Sequence, residues 1–233
     1  MTISHFLVYT GDAATGAVIR DWFAGAPAAM LAALPGVETL DLYTPESSED
    51  PYLDDGSGPV LMAQTGFEHT DALESGLDSR AFRDLLDDAT RVPGSGWGLS
   101  HDAMELRVFP VAGEDAPAPL AAPVSYVVRY QRPAQDEAHF VEHYCAVHPP
   151  VLGKFPRIRN VMCYLPIAWT DPTGIASADY LLGNEVVFDS LEDLNAALAS
   201  DVRHELREDY KSFPPFYGTN SHYAMRRQRL YHR

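Results

Sequence analysis

The residues best suited to proton chemistry gather in one stretch, DEAHFVEHYCAVHPPVLGKFPRIRNVMCYLP, from Asp136 to Pro166. His148 stands near the end of an expected helix there, followed by Pro149-Pro150-Val151, whose prolines fix the backbone. An imidazole, with an ordinary pKa of about 6.5, can take or give a proton near neutral pH. Glu185 is its candidate catalytic partner. It lies in a strand that otherwise reads apolar, where a buried carboxylate is costly unless paired or protonated. Arg129 is placed to pair with Glu185 or to hold a carboxylate or enolate oxygen of a substrate. Tyr126, Tyr130, Tyr144, Tyr164, Asn184 and His222 complete the set of candidate substrate-binding groups.

Other motifs weigh less. His139-Phe140-Val141-Glu142-His143 spells H-x-x-E-H, which puts two histidines on one helix face. No third ligand is placed, so no metal site is expected. Cys145 and Cys163 read as small buried hydrophobes, not nucleophiles or a disulfide framework. G-x-G-x-x-G, the P-loop and G-x-S-x-G are all absent, so nothing demands a nucleotide, flavin or phosphate ester, and no cofactor is expected.

The elements that must carry these residues occur twice. DWFAGAPAAMLAALPGVETLDLYTP, from Asp21, lies without a gap over EHYCAVHPPVLGKFPRIRNVMCYLP, from Glu142, an offset of 121 residues. The same offset pairs Tyr9 with Tyr130, Phe67 with Phe188, Leu77 with Leu198, Pro93 with Pro214 and His101 with His222. Each copy reads as a strand (5–10; 125–131), a helix (14–34; 136–155), a strand (37–43; 158–165), a strand (60–67; 180–188), a helix (80–90; 191–210) and a strand (103–111; 223–231). The copies span 1–112 and 124–233, joined by a Pro/Ala linker over 113–123.

This β-α-β-β-α-β order is the ferredoxin-like unit, whose helices cover one face of an antiparallel sheet and leave the other bare. The expected fold is therefore α+β, with two tandem units packing their bare sheet faces together. A pocket is then expected in the inter-sheet space.

The repeat also serves as a control. His148 falls on Pro27, Glu185 on Gln64 and Arg129 on Val8, so titratable groups replace neutral ones in the second copy alone. His139 and His143 fall on Val18 and Trp22, which suggests a packing face. Of the chain's net charge of −16, the first half carries nearly all: residues 1–121 hold 5 of the 17 basic side chains and 20 of the 33 acidic ones. Such a surface argues against nucleic acid or an anionic membrane as partner. No apolar run approaches the roughly 20 residues that span a bilayer, no secretory leader is visible, and two cysteines suit a reducing cytoplasm.

The second copy resembles the EthD-like family of the dimeric α/β-barrel superfamily. The residues that carry the likeness are Phe140, His143-Tyr144, His148-Pro149-Pro150-Val151, Phe155-Pro156-Arg157 and Glu185-Val186-Val187-Phe188-Asp189-Ser190. The family has Pro-Leu where Pro150-Val151 stands and Leu-Pro-Gly where Phe155-Pro156-Arg157 stands. The first copy keeps Leu34-Pro35-Gly36 and Phe67 but lacks the histidine. The resemblance implies a small-molecule pocket and catabolic or polyketide-type chemistry, in a superfamily that includes lactone isomerases, polyketide cyclases, cofactor-free monooxygenases and haem enzymes.

The function expected from all this is a cofactor-independent proton-transfer enzyme of lyase, isomerase or cyclase type, acting on an aromatic, lactone or polyketide-like compound. The alternatives are an oxygenase of the same superfamily, cofactor-free or haem-using, and a non-catalytic carrier or sensor of a small apolar ligand. A small molecule is the expected partner; the sequence leaves open whether the internal pseudo-dimer pairs again as a homodimer.

Overall fold

In a computed structural model of the protein, the described residues are 2–56, 58–89, 96–113, 120 and 122–233. Most of the expected Pro/Ala linker, Thr90 at the end of an expected helix, and Pro93 lie outside them.

The first unit comprises β1 (Thr2–Thr10), α1 (Ala13–Phe23), α2 (Ala26–Ala32), β2 (Val37–Pro45), β3 (Leu61–Phe67), α3 (Thr70–Leu77), α4 (Arg80–Ala89) and β4 (Gly98–Phe109). The second comprises β5 (Val124–Gln131), α5 (Glu137–Leu152), β6 (Asn160–Pro166), the short β7 (Ala176–Ser177), β8 (Tyr180–Phe188), α6 (Leu191–Leu198), α7 (Asp201–Tyr210) and β9 (Asn220–His232). Where one first helix was expected in the first unit, Gly25-Ala26-Pro27 breaks it in two, with Pro27 in the opening turn of α2, where a missing N–H costs least. The second unit keeps α5 whole, because Pro149 and Pro150 fall only in its last turn. Its second expected helix divides into α6 and α7 at Ala199-Ser200.

Within each unit the strands lie in ferredoxin-like order, β4-β1-β3-β2 and β9-β5-β8-β6. The two sheets then join edge to edge, β2 to β9 and β4 to β6, closing an eight-stranded antiparallel barrel on whose rim β7 adds a short parallel pair. Closure removes the exposed edges that two separate sheets would present.

Strand alternation sorts the side chains. Inward residues such as Phe6, Tyr43, Met62, Met104, Val127, Met162, Tyr164 and Met225 fill the barrel. Outward residues pack under helices, in one core per unit. The inter-sheet space expected to hold the pocket of His148 is thus packed through its middle. His148 rides on α5, which covers the outer face of its sheet, and the cavity beside it lies on that helix side. A helical residue on the outside of a closed barrel cannot reach its interior. No helix among the described residues is long and apolar enough to cross a membrane.

Candidate functional site

A cavity of about 170 Å³ lies between α5, α6, α7 and the outward face of β5, β8 and β9. Its apolar wall includes Val128, Leu152, Phe155, Val186, Leu198 and Leu206. His148, Tyr126, Tyr130, Asn184 and His222 reach it from five positions named by the sequence.

His148 is held from behind. Asp209, in the last turn of α7, lies 2.7 Å from Nδ1. Tyr144, one turn earlier on α5, packs tilted against the imidazole at a centroid distance of 4.7 Å, and Phe213 meets it edge-on at 5.2 Å. With Nδ1 engaged by a carboxylate, Nε2 is the nitrogen left for a molecule in the cavity. Burial pushes the imidazole below its ordinary pKa of 6.5, and Asp209 pulls it part of the way back. The ring is therefore neutral at neutral pH and able to accept a proton.

The remaining polar groups form a short chain. The Asn184 side-chain amide donates to the Tyr144 hydroxyl, while its own Oδ1 is buried without a hydrogen-bond partner. Burial raises the pKa of Tyr130 and Tyr144, so both are protonated phenols in the folded protein. Tyr144 itself is fully buried behind His148 and Asn184 and does not line the cavity.

The first unit contributes a strap. The loop after β2 crosses the second unit and is fastened at successive points. The Glu49 N–H donates to Asn195 at 3.0 Å, and Asp50 accepts from Tyr126 at 2.9 Å and from both Arg203 Nε and Nη2. Tyr52 bonds His204, and Asp55 accepts from the backbone and ring of His222, each at 2.8 Å. Leu53 supplies part of the cavity wall. Arg207 extends over the Tyr52 ring at 4.4 Å. Burial lowers the pKa of His222, with Asp55 opposing.

The structure separates the other sequence candidates from His148. Glu185 follows Asn184 on β8, so its side chain points through the opposite face into the barrel. There it accepts from Ser125 at 2.5 Å, Tyr164 at 2.8 Å and Tyr43 at 3.2 Å. Arg129 is also interior, packed over Phe6, Tyr164 and Tyr180, and bonds backbone carbonyls rather than Glu185. The expected His148–Glu185 pair is therefore not formed, and Asp209 holds the imidazole instead. Asp209, Asp50, Asp55, Arg203 and Arg207 were missed. Asp209 falls on Asp88 across the repeat, so the two copies carry no contrast at that position of the kind that marks His148. His139 and His143 lie 6.3 Å apart on α5, and no cluster of metal-ligating side chains occurs among the described residues.

In the first unit the corresponding region is packed. Phe82 takes the place of Arg203, Phe23 that of Tyr144 and Ala63 that of Asn184, and the loop after β6 brings Trp169 onto the same core. His101–Asp171, at 3.3 Å, mirrors His222–Asp55. Fastening a strap is thus common to both units, while the cavity described beside His148 belongs to one.

No family model matches the chain, and no curated protein matches it significantly. Solved structures do. An anthrone oxidase-like protein superposes with a TM-score of 0.66 at 10% identity, covering 98% of this chain and 92% of that one. A candidate monooxygenase from Lactobacillus acidophilus NCFM gives 0.55 at 10% identity, covering 97% and 93%. Another from Fusobacterium nucleatum gives 0.54 at 10% identity, covering 98% and 93%. At that identity the likeness extends to the fold, the dimeric α/β barrel that the EthD-like resemblance implied for the two tandem units.

Proposed function

We propose that this chain is a cofactor-independent enzyme that moves a proton with His148, acting on a small aromatic, lactone or polyketide-like compound of the kind its EthD-like motifs suggest. The observation that carries this reading is a buried His148–Asp209 pair on the wall of an apolar cavity, at a position where the other copy has Pro27. Asp209 fixes the tautomer and stabilises the imidazolium that forms, and His148 Nε2 takes the proton from an acidic C–H or O–H of the substrate. The apolar wall holds the substrate body and keeps water from the reacting atoms. Asn184 Oδ1 offers a buried acceptor for a substrate hydroxyl.

A second reading, a cofactor-free oxygenase, draws on the same base. A phenolate or enolate made by His148 is the electron-rich species that dioxygen attacks. It is favoured by the solved structures of like fold, which include the anthrone oxidase-like protein and two candidate monooxygenases.

One experiment addresses both. Phenols, anthrone-type compounds and lactones are incubated with wild type and His148→Ala, with solvent-deuterium uptake and oxygen consumption followed together. Deuterium uptake without oxygen consumption supports proton transfer alone; both together move the reading to the oxygenase. Full turnover by His148→Ala sinks the assignment of the base.

A further inference from the structure

The barrel holds a second cavity, of about 230 Å³, at the end where β1 begins. It is separated from the cavity of His148 by the sheet itself, and both units supply its wall.

The internal repeat shows what is unusual there. Asp41, Arg227 and Arg229 line the cavity from the β2·β9 seam. The offset of 121 carries them onto Met162, Leu106 and Val108, which line it from the β4·β6 seam directly across the barrel. One wall is charged and the equivalent wall is apolar. Since the β4·β6 seam closes without any of these charges, architecture alone does not call for them.

The charged wall also has unspent capacity. Asp41, 2% exposed, accepts Arg227 Nη2 at 2.7 Å, Arg229 Nε at 2.5 Å and Arg229 Nη2 at 2.8 Å. One wall carboxylate thus serves two guanidinium groups, and the only other carboxylate paired with Arg227 among the described residues, Glu185, stands off at 4.0 Å. Arg227 is itself buried, and its Nε has no hydrogen-bond partner. Glu185 Oε1 lies 4.0 Å from that nitrogen, beyond hydrogen-bond reach, and its carboxylate accepts from the hydroxyls of Ser125 and Tyr164. A buried donor left without a hydrogen bond is costly even beside its counter-charges, and an acceptor supplied from outside relieves it.

We propose that this cavity binds a small amphipathic carboxylate, with its carboxylate on Arg227 and Arg229 and its apolar body against Leu106, Val108 and Met162. The guanidinium fork matches carboxylate geometry, and the apolar wall selects against a bare inorganic anion.

Benzoate serves as the probe, with benzamide as its uncharged counterpart and chloride as the bare anion, in calorimetric titration and thermal shift of the whole chain. Benzoate is expected to bind saturably, roughly tenfold or more tighter than benzamide. His148→Ala should keep that response, because the helix-side cavity is not involved. Asp41→Met, Arg227→Leu and Arg229→Val together copy the apolar seam and should abolish it. Val108→Glu, at a rim position 44% exposed, should also abolish it by setting a competing carboxylate at the cavity, without touching the buried network. The proposal is overturned by no saturable response, by equal binding of benzamide or chloride, by loss of the response in His148→Ala, or by its survival in Val108→Glu.

Discussion

The proposed chemistry rests on one imidazole and its orientation. His148→Ala should lower turnover about 10²–10⁴-fold, the usual contribution of a positioned base. Because burial holds the folded pKa below 6.5, kcat/KM should rise with pH through a value under 6.5 and then level off. Asp209→Asn removes the group that pulls this pKa up, so the acid limb should move to lower pH while the plateau rate falls. A limb that moved upward in a pH–rate profile would contradict the assigned pairing. Glu185→Gln tests the corrected partner: with Glu185 inside the barrel, the variant should leave the position of this limb unchanged.

Two elements border the cavity that imidazole serves, through Phe155 and Leu53. The turn after α5 is the first. Arg157 sits at φ 60° where its counterpart Gly36 sits at φ 79°, so a side chain occupies a left-handed position that glycine holds in the other copy. Arg157→Gly should therefore stabilise the chain by about 1 kcal/mol in urea unfolding, the relief outweighing the exposed Arg157–Asp193 contact. The strap is the second element. Asp50 gathers Tyr126 and Arg203 at one carboxylate, 3% exposed, and Asp50→Asn leaves the guanidinium without its counter-charge. Its expected cost is about 2 kcal/mol of stability, together with faster proteolysis of the 46–60 loop; an unchanged cleavage rate would show that the strap is held elsewhere.

The whole molecule is held by closure, and its pH response follows from what closure buries. Burial lowers the pKa of His5 to about 3, and the pKa values of His101, His148 and His222 fall as well. Each folded value lies below the unfolded one, so the unfolded chain binds more protons between the two. Stability is therefore complete above about pH 6.5 and is lost as pH falls below it. Urea midpoints should drop between about pH 7.5 and pH 5, a range in which ordinary carboxylates remain ionised. A midpoint that held constant across this range would contradict neutral burial of these rings. Closure also sets what the second unit can do alone. Residues 124–233 without the first unit expose the edges of β6 and β9 and lack the strap, so that fragment should self-associate in size-exclusion chromatography.

By itself the sequence determined the tandem units, their strand order and the asymmetry between His148 and Pro27, because hydrophobic periodicity and a constant offset are local and additive properties of the chain. It also named five residues that share one cavity. Only the tertiary structure decided which side of the sheet that cavity is on. Asn184 and Glu185 are neighbours in sequence, yet a strand sends consecutive side chains to opposite faces, and the face of each depends on how the barrel closes. The partner of His148 was likewise beyond reach, since Asp209 meets it only when α7 packs on α5. The strap from the first unit crosses to the second because the two sheets join at their edges, a contact between distant segments that no local pattern encodes.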